Sequence, residues 1–149
     1  MTPEALARAC ADAMWEDDPA SRSLGMALEQ VGPGTARMAM EVRADMVNGH
    51  GMCHGGFIFT LADSAFAFAC NSYNERTVAQ HCAITFLRPA RLGMGLIATA
   101  TERSRAGRSG IYDITVTALD GPNGDIATIA EFRGNARGLG AKFFEDVPA

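Results

Sequence analysis

The chain has 149 residues, 48% of them apolar and 20% charged, with a net charge of −4 from 13 basic and 17 acidic side chains. That is one domain's length, enough to bury a core, and its acidic balance excludes the electrostatic footprint of a nucleic-acid-binding protein. No run of about 18 apolar residues occurs, so no membrane span is expected. The cysteines, Cys10, Cys53, Cys70 and Cys82, contain no CxxC pair, and the opening MTPEALARACADAMW carries acids and no long apolar stretch. A reduced, cytoplasmic protein is therefore expected.

Thr2-Pro3-Glu4 reads as a helix start: a capping hydroxyl, a proline in the first turn, then an acid. Leu6, Cys10, Ala13 and Met14 carry the helical period to about Trp15, and Asp17-Asp18-Pro19 stops it, so 1–18 is an N-terminal helical segment. Two strands are predicted at about 26–31 and 36–42 around Gly32-Pro33-Gly34, the second from the alternation of Met38, Met40 and Val42. Residues 43–53 are a loop rich in Asn, Gly and His. A central helix covers roughly 55–71, with Thr60, Asp63, Ser64 and Asn71 on one narrow polar stripe beside Ala67. Ile58, Phe59, Leu61, Phe66 and Phe68 occupy its other faces, so other structure must wrap it. Strands at about 78–87, 96–105, 110–119 and 126–136 follow, and the tight breaks between successive strands favour antiparallel pairing. The tail 138–149 is expected to be mobile. The whole is one domain, residues 1–149, of class α+β: a long antiparallel sheet wrapped around a central helix.

The stretch Asn48–Asp63, NGHGMCHGGFIFTLAD, concentrates the chemistry. Asp63 is the only charge between Phe57 and Cys70, and a lone carboxylate in an apolar helix is costly unless something pairs or uses it. Gly55-Gly56 at the helix start leaves backbone N–H groups bare, where developing negative charge can be held. Oxyanion donors beside a carboxylate are what acyl transfer requires. Gly55 and Asp63 are, however, eight residues apart, about 12 Å of helical rise. A single acyl carbon must lie about 3 Å from both groups, so one chain cannot serve it alone. Two antiparallel helices across a two-fold axis can, which predicts a homo-oligomer with interfacial sites.

Asn48…His54-Gly55-Gly56…Asp63 is similar to the pattern of the hotdog-fold acyl-CoA thioesterases, and most similar to the type found in bacterial phenylacetic acid degradation. Further matching pieces are Leu61–Ala67, Ala69–Ser72, Phe86-Leu87-Arg88-Pro89, Gly110–Ile114 and Phe132-Arg133-Gly134. The resemblance spans about 24–136. It implies a hotdog fold, a dimer or homotetramer, and hydrolysis of aryl or arylacetyl-CoA thioesters, phenylacetyl-CoA first. It implies no metal or redox cofactor; coenzyme A enters only as part of the substrate.

On this reading Asp63 either attacks the thioester carbon or takes a proton from the attacking water. Gly55 donates its N–H to the thioester oxygen, or merely lets the loop turn into the helix. Gly56 serves close packing or special dihedrals. His54 polarises the carbonyl or holds the loop, and Asn48 orients the water or only forms an Asn-Gly turn. Thr60 and Ser64 bond the carboxylate, the substrate or a carbonyl one turn back. Arg88, Arg108 and Ser109 are candidates for the coenzyme A phosphates, since a guanidinium matches phosphate geometry. Competing readings are an enoyl-thioester hydratase or dehydratase of the same fold, a non-catalytic acyl-CoA-binding protein, and a Cys53 nucleophile beside His54.

Overall fold

The computed structural model describes residues 1–147, and the last two positions of the tail lie outside them. Helix α1 runs Pro3–Glu16, with the Thr2 hydroxyl accepting from the Ala5 N–H at 3.1 Å. Asp17-Asp18-Pro19 does stop it, but also starts a short α2, Pro19–Ser23, which the sequence reading does not foresee. The Asp18 carboxylate accepts from the Ser21 N–H at 3.0 Å. A proline that cannot continue one helix suits the first turn of the next.

Strands β1 (Ala27–Gly32) and β2 (Thr35–Glu41) form a hairpin, and Ala36, Met38 and Met40 of β2 alternate inward. The following loop holds a 3-10 turn, Ala44–Met46, before α3, Gly55–Cys70. Strands β3 (Thr77–Phe86), β4 (Gly95–Ala106), β5 (Ser109–Asp120) and β6 (Asp125–Gly138) complete one six-stranded antiparallel sheet of order β1-β2-β4-β5-β6-β3. The expectation that successive strands pair holds for β4–β5 and β5–β6 but not for β3–β4. Instead β4 joins β2, and β3 joins β6 at the opposite edge. The β3–β4 connection is no tight turn: Ala90 accepts from the Cys53 N–H at 2.8 Å, and Arg91 bridges to Met52.

Helix α3 lies across β2, β4 and β5, burying Ile58, Leu61, Ala62, Ala65, Phe66, Phe68 and Ala69. Each large side chain so buried contributes about 1.5–3 kcal/mol. Phe66 packs against Tyr112 and Phe132, with ring centroids 5.6 and 6.0 Å away. It reaches the sheet because residue 134 is glycine; a Cβ there would lie 2.6 Å from the ring. This is the expected hotdog arrangement.

The tail is not free as expected. Asn74, in the left-handed region at φ 59°, accepts from the Phe143 and Phe144 N–H groups and donates to the Phe144 carbonyl. Arg76 and residues 139 and 141 exchange backbone bonds beside it, so the chain is tied down through Phe144.

Candidate active site

His54 is the N-cap of α3. Its Nδ1 accepts from the Gly56 N–H at 2.9 Å, and its backbone N–H donates to Met46 at 2.7 Å. The proton of a neutral ring therefore sits on Nε2, which remains available as a donor. Gly56 is thereby occupied, whereas the Gly55 N–H meets no acceptor among the described residues. It is an orphan donor at a helix N-terminus, the position where the helix dipole favours negative charge.

The Asn48 side-chain oxygen accepts from the His50 and Met52 N–H groups at 2.9 and 3.3 Å, shaping the loop 48–52 as an Asx turn. That commitment leaves its amide NH2 without a partner among the described residues. Asn48, Gly55 and Arg88 share one cavity of about 520 Å³, walled also by Met52, Ile58, Phe86, Leu87 and Pro89. Arg88 stands exposed at this cavity, donating to the Thr128 carbonyl at 2.9 Å.

The polar stripe of α3 resolves into different roles. Thr60 donates to the Gly56 carbonyl at 2.8 Å, one turn back. Ser64 pairs with the buried Ser21 of α2 at 2.9 Å, and Asn71 bonds the Ala67 and Thr77 carbonyls and the Thr77 N–H. Asp63 alone of the four has no hydrogen-bond or ion-pair partner among the described residues. It is half-buried, and desolvation pushes its carboxyl above the usual carboxylate range. Its charge adds to the upward push that burial gives the thiols of Cys70 and of Cys82 on the edge strand β3.

Gly55 and Asp63 do sit on one helix, eight positions and about 12 Å apart. The cavity at Gly55 is not lined by Asp63. Arg108 and Ser109 are farther still, lining a crevice of about 20 Å³ with Cys70, Tyr73 and Glu75 at the other end of α3. One chain thus brings together Asn48, Gly55 and Arg88, with His54 capping beside them, and holds Asp63, Arg108 and Ser109 apart. Cys53 is buried, and burial pushes its thiol up, the opposite of what a nucleophile needs.

Residues 50–124 match the thioesterase superfamily. The chain belongs to that superfamily. It is 43% identical over 130 residues to the acyl-coenzyme A thioesterase PaaI of Escherichia coli K12, covering 87% of this chain and 89% of that protein. The structure of the E. coli PaaI protein from the phenylacetic acid degradation operon superposes with a TM-score of 0.88 at 40% identity, over 95% of this chain and 99% of that one. A single-residue mutant of the phenylacetic acid degradation protein PaaI from Thermus thermophilus matches with a TM-score of 0.75 at 37% identity, over 82% of this chain and 100% of that one. In this superfamily member, reading the sequence missed Phe86 as part of the site. Its only signal was the match of Phe86-Leu87-Arg88-Pro89, which says nothing about where the ring lies.

Proposed function

We propose that the protein is a cytoplasmic acyl-CoA thioesterase that hydrolyses aryl or arylacetyl-CoA thioesters, phenylacetyl-CoA and its hydroxylated relatives first, to free coenzyme A and the carboxylic acid. The observation that carries this is Asp63: a half-buried carboxylate without a partner among the described residues, on a polar stripe whose other side chains, Thr60, Ser64 and Asn71, are all hydrogen-bonded. Such a group is costly to keep, as reactive groups often are. The similarity to PaaI supports the substrate class.

In the reaction the thioester oxygen takes the Gly55 N–H, and negative charge develops at the positive end of α3. The Asn48 amide orients water, and the His54 Nε2–H polarises the carbonyl. Asp63 either accepts the water's proton or attacks the carbon itself, to be freed by water in a second step. In both routes the C–S bond breaks, and the thiolate takes up a proton as coenzyme A leaves.

Because Gly55 and Asp63 are too far apart on one helix, the site joins Gly55 of one chain to Asp63 of another. Strand β3 supports this: it is a ten-residue edge paired only to β6, with Val78 and Phe86 exposed, and such an edge invites pairing with a second chain. A second contact that would build a tetramer is supported by the apolar groove on the sheet, where Leu119 and Ile126 are 67% and 75% exposed. Arg108 and Ser109 then reach the coenzyme A phosphates only from a neighbouring chain, whereas Arg88 can do so from the chain that supplies Gly55.

Thiol release from a panel of acyl-CoAs tests the reading. Release from phenylacetyl-CoA is expected, and the Asp63→Asn variant, its oligomer intact, should release thiol about 10²–10⁴-fold more slowly. Consumption of an enoyl-CoA without thiol release would favour the hydratase reading, and tight binding with no turnover the acyl-CoA-binding one.

A further inference from the structure

Phe86 ends β3 with half of its surface exposed. Its ring lies directly on Gly55: a Cβ built there would stand 2.9 Å from Cζ and 3.2 and 3.4 Å from the two Cε atoms. The ring therefore fills the side-chain space of the very residue that offers the oxyanion donor. The same apolar wall continues through Met52, Ile58, Leu87 and Pro89 around the 520 Å³ cavity.

Resting on the thioesterase reading, we propose that Phe86 is a specificity-determining residue, whose ring forms the wall that receives the aryl ring of the acyl group. A carbonyl oxygen bonded to the Gly55 N–H lies about 3 Å from that nitrogen. The nitrogen is one bond from the Cα whose side-chain space the Phe86 ring fills. An aryl ring one methylene beyond the carbonyl, turned toward β3, can reach the roughly 4.5–7 Å centroid range of edge-to-face and offset aromatic pairs. An aliphatic acyl chain meets the same wall without that pairing. The crevice at the far end of α3 also carries rings, Tyr73 and Tyr112, but at about 20 Å³ it has no room for an aryl group.

The test compares kcat/KM for phenylacetyl-CoA and hexanoyl-CoA in wild type, Phe86→Leu and Phe86→Tyr. The leucine variant is expected to lower the phenylacetyl-to-hexanoyl ratio roughly tenfold, the size of a lost contact in an apolar pocket. The tyrosine variant keeps the ring and should keep the ratio. An equal loss on both substrates, or no change on either, would overturn the proposal. Phe86→Met carries the same comparison if the leucine variant does not fold. A second readout uses the contact itself: Gly55→Ala should lose activity because its methyl meets the ring, and Gly55→Ala/Phe86→Leu should recover about tenfold or more of that loss. No recovery would mean the ring does not rest on Gly55 in the working enzyme, and the proposal fails. A wild type releasing thiol from neither substrate would sink the hydrolase reading, and the proposal with it. Thiol release with an unchanged ratio sinks the proposal alone.

Discussion

Asp63 carries a cost that can be measured. Desolvation raises its pKa in the folded chain, so between the ordinary value of 3.8 and the raised one the folded state holds a proton that the unfolded state has lost. Stability from this group is complete below the unfolded value and is lost as pH rises through the folded one. At neutral pH the ionised carboxylate therefore works against folding. Asp63→Asn should cut turnover by about 10²–10⁴-fold yet melt no lower than wild type at pH 7. A lower melting temperature would mean that Asp63 has a stabilising partner. On the proposed mechanism the ionised form is the active one, so kcat/KM should rise with pH through a pKa above the normal aspartate range. A limb at the ordinary value would place the active carboxylate in solvent.

At the scale of elements, α3 depends on its cap. His54 occupies a position where Ser, Thr, Asp and Asn are usual, and its ring nitrogen takes the Gly56 N–H in their place. His54→Ala should cost about 1 kcal/mol in denaturant unfolding, and His54→Asn much less. If His54 only caps, the asparagine variant should also keep its turnover; a fall in kcat there at unchanged stability assigns the Nε2–H to the carbonyl. The tail offers a separate check. Asn74 satisfies three backbone groups of Phe143 and Phe144, so Asn74→Ala should abolish exchange protection of those two amides while the core amides keep theirs. Persistent protection would mean that the Arg76 contacts hold the tail alone.

At the scale of the molecule, the proposed interfacial site can be tested by complementation. Asp63→Ala and Gly55→Pro chains, each inactive alone, should regain activity when refolded together, because a mixed dimer carries one site with both groups intact. With random pairing, half the dimers are mixed and each has one of two sites, so about a quarter of wild-type activity is expected. No recovery would place both groups in one chain. Adding a charge on the open edge of β3, as in Val78→Glu, should weaken the dimer and turnover together, read by sedimentation against protein concentration.

Much of this is legible in the residues. The sequence places the helix at Gly55 within one residue at each end, because its glycine start, its apolar faces and Asn71 are local signals. The strands follow from alternation, and the outlier status of Asp63 from charge alone. Helix α2 and the clamped tail are not legible, the first because Asp-Pro reads equally as stop and start, the second because Asn74 acts on residues about seventy positions away. Thr60 and Ser64 look equivalent to Asp63 on a helical wheel, and only their contacts with the Gly56 carbonyl and with Ser21 set them apart from it. The sequence by itself determined the helix, the strands and the spacing of Gly55 from Asp63, since these depend on neighbours along the chain. Only the tertiary structure decided that β3 closes the far edge of the sheet, that Phe86 rests on Gly55, and that Asp63 is left without a partner among the described residues. Those facts are contacts between distant segments, and periodicity along one chain carries no information about which distant surfaces meet.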